Sequence, residues 1–173
     1  MPLPCPAVLL RPLATTDLDG VLALNNDNVP AVSELDRPEL ARLAGLTSIA
    51  LVADVGATLG GFCMVMPPGV DYVSLNYRWF SSHAGDLGYG TFAYLDRIAV
   101  AEHARRLGVG RAMYAHLVDA LIGVAPVLFC EVNVRPRNDP SLAFHAALGF
   151  REIGQQDTDG GAKRVSPLAL DLT

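Results

Sequence analysis

Cysteine is scarce in this chain: Cys5, Cys63 and Cys130 are the only three in 173 residues. They are an odd set without metal-ligand spacing, which argues against a disulfide framework and reads as reduced thiols of a cytoplasmic protein with no metal. Long apolar runs are missing too. None approaches the ~20 residues that span a bilayer, so no membrane partner is expected. The opening Met1-Pro2-Leu3-Pro4-Cys5-Pro6 has no cationic region and is interrupted by prolines, unlike a secretory signal. Basic charge is in deficit, with 13 Lys+Arg against 18 Asp+Glu and a net charge of −5. That disfavours nucleic acid as a partner, because phosphate binding is built on cationic surface. Charged residues are few, 18% against 51% hydrophobic, which is not the composition of a disordered chain. No period of 20–50 residues recurs, so a solenoid is excluded. What remains is one globular domain over residues 1–173, long enough to bury a core without staples.

The punctuation of the chain predicts an order of elements. Ala7 to Leu13 reads as a strand. Thr15-Thr16-Asp17 then caps a helix whose apolar face begins at Val21, Leu22 and Leu24 and which Asn25-Asn26-Asp27-Asn28 breaks. A short helix from Arg37 to Ala44 carries Pro38 in its first turn and Gly45 at its end. Thr47–Asp54 and Gly60–Met66 read as a hairpin. An irregular stretch from Pro67 to Gly90 follows. Then come a strand Tyr94–Val100, a helix Gly108–Val124, a strand Val127–Val134, a helix Asp139–Leu148 and strands Phe150–Gln155 and Arg164–Leu172. This order specifies an α/β sheet covered by helices. On the Gly108–Val124 helix, His116 is expected on the apolar side with Val109, Met113, Leu117 and Ala120.

The chemistry concentrates after the fourth strand. Tyr94-Leu95-Asp96-Arg97-Ile98-Ala99-Val100 leads through a short turn into Arg105-Arg106-Leu107-Gly108-Val109-Gly110-Arg111. Glycines let backbone approach a ligand closely, and the first N–H groups of a helix have no partners and carry partial positive charge. With Arg105, Arg106 and Arg111 beside them, they form an anion cradle. The alternative is a turn that needs its glycines for packing alone. Neither the P-loop nor the dinucleotide fingerprint fits.

Arg105-x-x-Gly108-x-Gly110 resembles the Arg/Gln-x-x-Gly-x-Gly/Ala signature of the GNAT N-acetyltransferase superfamily, and Leu95-Asp96-Arg97-Ile98-Ala99-Val100 resembles that family's fourth strand. Further on, Asn138-Asp139-Pro140-Ser141-Leu142-Ala143-Phe144-His145-Ala146-Ala147-Leu148-Gly149-Phe150 resembles the family block Asn-x-x-Ala-x-x-Leu/Phe-Tyr-x-x-x-Gly-Phe. The close match covers residues 94–153. The resemblance implies a mixed, mostly antiparallel sheet of six or seven strands, flanked by about four helices and splayed between the fourth and fifth strands. It implies acetyl-coenzyme A as co-substrate, with no metal, its pyrophosphate at Arg105, Arg106, Gly108, Val109, Gly110 and Arg111. The strand residues Ile98, Ala99 and Val100 would hold pantetheine and aim N–H groups at the thioester carbonyl, and Asn138 would contact the pantetheine arm; Ser141 is a further cofactor-binding candidate from its place on the polar strip of the second helix. An amine acceptor and, commonly, a homodimer are also implied.

Two residues are candidates for proton transfer. Asp96 alternates with Tyr94, Ile98 and Val100 along its strand, and a carboxylate among apolar neighbours is costly unless paired. The resemblance places it where one branch of the family has a general base; a salt bridge, for instance to Arg97, is the structural alternative. His145 occupies the place of the tyrosine that protonates the departing thiolate. Imidazolium can do so, whereas neutral imidazole can only hydrogen-bond the thiolate. Asp139 is expected to cap the second helix, with Ala143, Phe144, Ala147 and Leu148 on its apolar face and Asn138, Ser141 and His145 on a polar strip.

Seven aromatics crowd one stretch: Tyr72, Tyr77, Trp79, Phe80, Tyr89, Phe92 and Tyr94. They read as walls of an acceptor pocket, a subunit contact or a second small core. Glu34, Asp36 and Asp71 would attract a cationic amine. The expected activity is acetyl transfer to a primary amine by direct attack in a ternary complex. The rival readings are a coenzyme A-binding sensor with little turnover and a structural partner domain.

Overall fold

The computed structural model describes residues 7–172, so the expectation for Cys5 lies outside the described residues. Along the chain the elements are β1 (Val8–Pro12), α1 (Leu18–Asp27), α2 (Arg37–Leu46), β2 (Ile49–Val55), β3 (Thr58–Met66), α3 (Leu75–His83), β4 (Ala93–Val100), α4 (Val109–Leu121), β5 (Val127–Arg135), α5 (Asp139–Ala147), β6 (Arg151–Glu152), β7 (Gln156–Thr158) and β8 (Lys163–Asp171). Short 3₁₀ turns precede α1, α4 and β8. The chain forms two compact units, residues 7–65 with 97–120 and residues 66–96 with 121–172, and β4 passes from the second to the first.

In the first unit β1 pairs antiparallel with β2, and β2 with β3 through the hairpin. Ala101 N donates to Gly60 O at 2.9 Å, just past the end of β4. Gly61 explains how closely these pieces pack. A Cβ there would stand 2.9 Å from Val109 Cγ1 and 3.0 Å from Ala99 O, so only hydrogen fits between β3, β4 and the first turn of α4. The apolar positions of α1, α2 and α4 that face inward are Val21, Leu24, Leu40, Leu43, Val109, Met113 and Leu117, all buried. α1 ends at Asp27 with Asn28 as its C-cap, within the asparagine run expected to break it, and the Asn25 amide there is buried and hydrogen-bonded to Asn26 Oδ1 at 2.9 Å and Ser33 O at 3.0 Å. His116 is exposed, contrary to expectation. The helical period puts Tyr114, rather than His116, on the buried face with Met113 and Leu117.

In the second unit β4 pairs with β5 in parallel, through Ala93↔Leu128 and Tyr94↔Phe129 alone. β5 pairs antiparallel with β8 along its whole length, and β6 and β7 each add to β8 antiparallel. The parallel pairing thus stops after two residue pairs at the place where a splay is expected. The described residues hold eight strands and five α-helices where six or seven and about four are expected. The extra strand is β7, too short for a periodic signal. The extra helix is α3, inside the stretch read as irregular. Ser74 caps it by accepting from Tyr77 N, and Tyr77, Phe80 and Ala84 are its buried stripe.

The aromatics of this stretch are mostly core. Phe80 stacks on Phe129 at 4.7 Å between ring centroids, and Tyr77, Phe92 and Tyr94 pack around them. Trp79 stacks on His83 at 4.1 Å and closes over Gly154, where a Cβ would stand 2.9 Å from its ring. Tyr72, Trp79 and Tyr89 keep partial exposure. Cys63 and Cys130 are buried, and burial pushes the Cys63 thiol up to about 12, which keeps it protonated and inert.

Candidate functional site

The turn between β4 and α4 lies in the first unit. A 3₁₀ turn at Glu102–Ala104 is anchored by the fully buried Ala104. Past it the chain leaves the core: Arg105, Arg106 and Gly108 are exposed. Arg106 has φ 63° and Gly108 φ 83°. Left-handed residues in a turn are a feature of the backbone concavities that bind anions. Helix α4 then starts at Val109, and its ladder begins with Ala112 N donating to Gly108 O at 2.9 Å. The N–H groups of Val109, Gly110 and Arg111 precede that ladder and are unsatisfied within the helix. Val109 is 1% exposed, and its side chain packs inward against Gly61. Nothing stands within 4 Å of a Cβ built on Gly108: the room on this side of the turn is open. Exposed guanidinium groups at Arg105, Arg106 and Arg111 complete a donor set that fits a pyrophosphate.

Along β4 the burial alternates. Leu95, Arg97 and Ala99 are buried, while Asp96, Ile98 and Val100 are half-buried. Arg97, 4% exposed, points away from the Asp96 face. It donates to Asn25 Oδ1 at 2.8 Å, to Ser33 O at 3.4 Å and to Ser33 Oγ at 3.3 Å.

Asp96 belongs to the second unit. It accepts a hydrogen bond from the Tyr72 hydroxyl at 2.7 Å. The neighbouring Tyr94 is fully buried and donates to Glu131 Oε1 at 3.1 Å. The same oxygen accepts from Asn76 Nδ2 at 2.8 Å. Burial raises the Tyr94 phenol well above its ordinary value, and the charges of Glu131 and Asp96 raise it further; the phenol stays protonated and donates. Asp96, Glu131, Tyr72, Tyr94 and Asn76 therefore form one polar cluster beside the aromatic core. Glu131 is a member that the sequence motifs do not mark. A signal for it exists: a lone carboxylate in Leu128-Phe129-Cys130-Glu131-Val132 must find donors if the strand is buried.

The second motif forms the start of α5, also in the second unit. Asn138, rather than Asp139, is its cap, accepting from Ser141 N at 3.2 Å. Asp139 is the first helical residue and is paired with Arg137 at 2.5 Å. α5 departs from expectation at three residues, while Phe144 and Leu148 of the expected apolar face are half-buried. Ala143 and Ala147 are exposed, whereas His145 is 5% exposed, edge-on to Phe144 and Phe150. Its Nδ1 lies 2.7 Å from Ser141 O and 3.3 Å from Ser141 Oγ. A carbonyl can only accept, so Nδ1 carries the proton of the neutral ring. Burial lowers the His145 pKa and the bond to Ser141 opposes this. The net direction is opposite to the one an acid at neutral pH needs.

The predicted site residues thus fall into two sets. Ile98, Ala99, Val100, Arg105, Arg106, Gly108, Val109, Gly110 and Arg111 lie in the first unit. Asp96, Asn138, Ser141 and His145 lie in the second. Of the three acidic residues expected to attract an amine, Asp36 is instead the cap of α2, accepting from Glu39 N at 2.8 Å. Among the described residues no group of three or more His, Cys, Asp or Glu is placed to hold a metal ion, and no helix is long and apolar enough to cross a membrane.

Residues 26–150 match the family model described as the Acetyltransferase (GNAT) family. No curated protein sequence matches the chain significantly. Solved structures with a similar fold include the ribosomal-protein-S18-alanine N-acetyltransferase from Escherichia coli, at 22% identity and a TM-score of 0.72, with 96% of this chain and 95% of that one covered. Arabidopsis thaliana NAA60 in complex with acetyl-CoA is similar at 18% identity and a TM-score of 0.75, with 95% and 99% covered. Ard1 from Thermoplasma volcanium is similar at 16% identity and a TM-score of 0.75, with 95% and 97% covered.

Proposed function

Since the chain belongs to the Acetyltransferase (GNAT) family, we propose that it transfers an acetyl group from acetyl-coenzyme A to a primary amine, by direct attack in a ternary complex. The observation that carries this reading is the Arg105–Arg111 turn, with its two left-handed residues, exposed guanidinium groups and unsatisfied helical N–H groups. When bound, acetyl-coenzyme A supplies the activated acetyl thioester.

The chain's own residues then divide the work. Arg105, Arg106 and Arg111, with the N–H groups of Val109 and Gly110 and the open turn at Gly108, hold the pyrophosphate. Ile98, Ala99 and Val100 offer backbone to the pantetheine and N–H groups to the acyl oxygen, where charge grows during attack. Asn138 and Ser141 line the pantetheine arm. Asp96 takes a proton from the acceptor's ammonium group, freeing the nitrogen lone pair. Neutral His145, with its one proton held by Ser141 O, has only a lone pair left at Nε2 and cannot donate to the departing thiolate, which leaves unaided or takes its proton from water.

A second reading, a coenzyme A-binding sensor with little turnover, is favoured by one observation: the residue in the place of the family's tyrosine acid is a buried histidine whose pKa is lowered.

Acetyl-coenzyme A should raise the melting temperature of the protein by linkage to the folded state. Gly108→Asp, which sets a carboxylate in the turn, should abolish that increase; an equal increase in both proteins would remove the turn from the binding site. Release of free thiol across a panel of primary amines separates enzyme from sensor. Binding without release supports the sensor.

A further inference from the structure

We propose that Tyr72 is a positioning residue for the proton acceptor of the reaction, holding the Asp96 carboxylate in place through its hydroxyl. The inference rests on the reading of Asp96 as the base.

The placement of Tyr72 is built by a chain of local contacts within one unit. Ser74 caps α3, which sets Tyr77 one turn into the helix. The Tyr77 hydroxyl donates to Pro67 O at 2.8 Å and accepts from Val70 N at 3.2 Å, so it staples both ends of the 67–70 loop. Tyr72 N closes a tight turn on Val70 O at 2.9 Å, and its ring packs on Tyr77 at 5.7 Å. The Tyr72 hydroxyl reaches Asp96 Oδ1 at 2.7 Å from this braced position.

Two carboxylates lie near the buried Tyr94 phenol, and the 72–76 segment gives a donor to each. Asn76 serves Glu131, and Tyr72 serves Asp96. Glu131 receives Tyr94 as well, and Tyr72, Asn76, Asp96 and Glu131 are all half-buried. Among the groups near Asp96 are Tyr72 from the loop, Tyr94 from its own strand and, through Tyr94, Glu131 from β5; the Arg97 guanidinium bonds to Asn25 and Ser33. A hydrogen bond to an ionised acceptor is among the stronger ones a protein makes, and it fixes geometry as well as energy. In the step, one N–H bond of the acceptor ammonium breaks, the proton passes to the Asp96 carboxylate, and the electron pair stays on nitrogen. Tyr72 keeps its own proton throughout.

The test uses Tyr72→Phe, which removes the hydroxyl and keeps the ring on Tyr77, with Asp96→Asn and the double variant. The readout is thiol release from acetyl-coenzyme A with the fastest amine of a primary-amine panel. Tyr72→Phe should lower kcat by roughly 10–100-fold, with the KM for acetyl-coenzyme A unchanged and the protein still folded, its melting temperature lowered by the loss of one hydrogen bond. In the Asp96→Asn background it should have no further effect. An unchanged kcat in Tyr72→Phe, beside an impaired Asp96→Asn, overturns the role of Tyr72 and leaves Asp96 as the base. Equal losses from Tyr72→Phe in both backgrounds show that it acts apart from Asp96, and also overturn it. A fully active Asp96→Asn, or no thiol release with any amine, overturns the underlying reading and the inference with it.

Discussion

Arg97 Nη1 donates to Asn25 Oδ1 at 2.8 Å, joining a guanidinium 4% exposed to an amide 0% exposed. The Asn25 amide continues to Ser33 O at 3.0 Å, and Asn26 clasps Leu35 through both its carbonyl and its N–H. One buried cation therefore ties β4 to the end of α1 and to the connection that follows. Asn25→Leu fills similar space but leaves the guanidinium short of an acceptor. The expected loss is about 2–3 kcal/mol, the scale of a buried hydrogen bond to a charged group. Asn25→Asp keeps an acceptor and should lose less. Urea denaturation of the three proteins checks the order, and a stable Asn25→Leu variant would show that the network is dispensable.

Two glycines make opposite predictions for the same substitution. At Gly61 a methyl group would meet Val109 Cγ1 at 2.9 Å and the Ala99 carbonyl oxygen at 3.0 Å. The backbone oxygen cannot move aside without displacing β4, so Gly61→Ala should cost about 1–3 kcal/mol by overpacking. Gly45 lies inside α2 with nothing within 4 Å of a Cβ. Gly45→Ala should stabilise by about 0.5–1 kcal/mol, since alanine surrenders less backbone freedom in a helix. Paired denaturation curves read both signs in one experiment.

The parts of the fold that are legible in the sequence are those with a periodic signal. The hairpin β2–β3, the glycine turn, α4 and β5 lie within a few residues of where the spacing sets them. The losses have separate physical causes. α3 is hidden because its residues are aromatic and polar, and its helical state comes from the Ser74 cap and a stripe that only tertiary packing rewards. α5 is legible in place but not at three positions of its faces. Its small alanines look apolar, yet His145, stripped of charge and bonded to Ser141 O, is the residue that fits between Phe144 and Phe150. Of the polar cluster, Asp96 is legible because it interrupts a β-run next to a motif. The pairing of Tyr72 with Asp96 and of Tyr94 with Glu131 is not, because contacts 24 and 37 positions apart depend on the chain's path rather than on local spacing.

Arg106 holds φ at 63°, a conformation that costs a non-glycine residue about 1 kcal/mol. Its side chain is exposed, so the fold gains nothing evident from it. Arg106→Gly should therefore raise the stability of the unliganded protein by up to about 1 kcal/mol, offset in part by the greater freedom of glycine in the unfolded chain. The same change deletes a cation from the proposed pyrophosphate site, so the rise in melting temperature with acetyl-coenzyme A should shrink. Calorimetry with and without acetyl-coenzyme A separates the two effects. Stability and ligand response moving in the same direction would contradict the assignment.

His145 carries a pH signature that does not depend on activity. Burial holds its pKa below the ordinary histidine value, against the opposing pull of the Ser141 bond. The unfolded chain has no such constraint and titrates near ~6.5. As pH falls below that value, the unfolded state binds a proton that the folded state refuses, so the folded state loses ground. The contribution is fully present above ~6.5 and is lost as pH falls through the window from ~6.5 down to the folded value. His145→Gln removes the titration while keeping a polar side chain of similar reach. Its stability at neutral pH is set by packing, but its decline between about pH 7.5 and about pH 5 should be shallower than the wild-type decline. The carboxylates titrate in both proteins and cancel in the difference. Urea denaturation at a series of pH values measures it. Parallel curves would mean that the ring takes up its proton equally in the folded and unfolded states, and would return His145 to the role of thiolate acid.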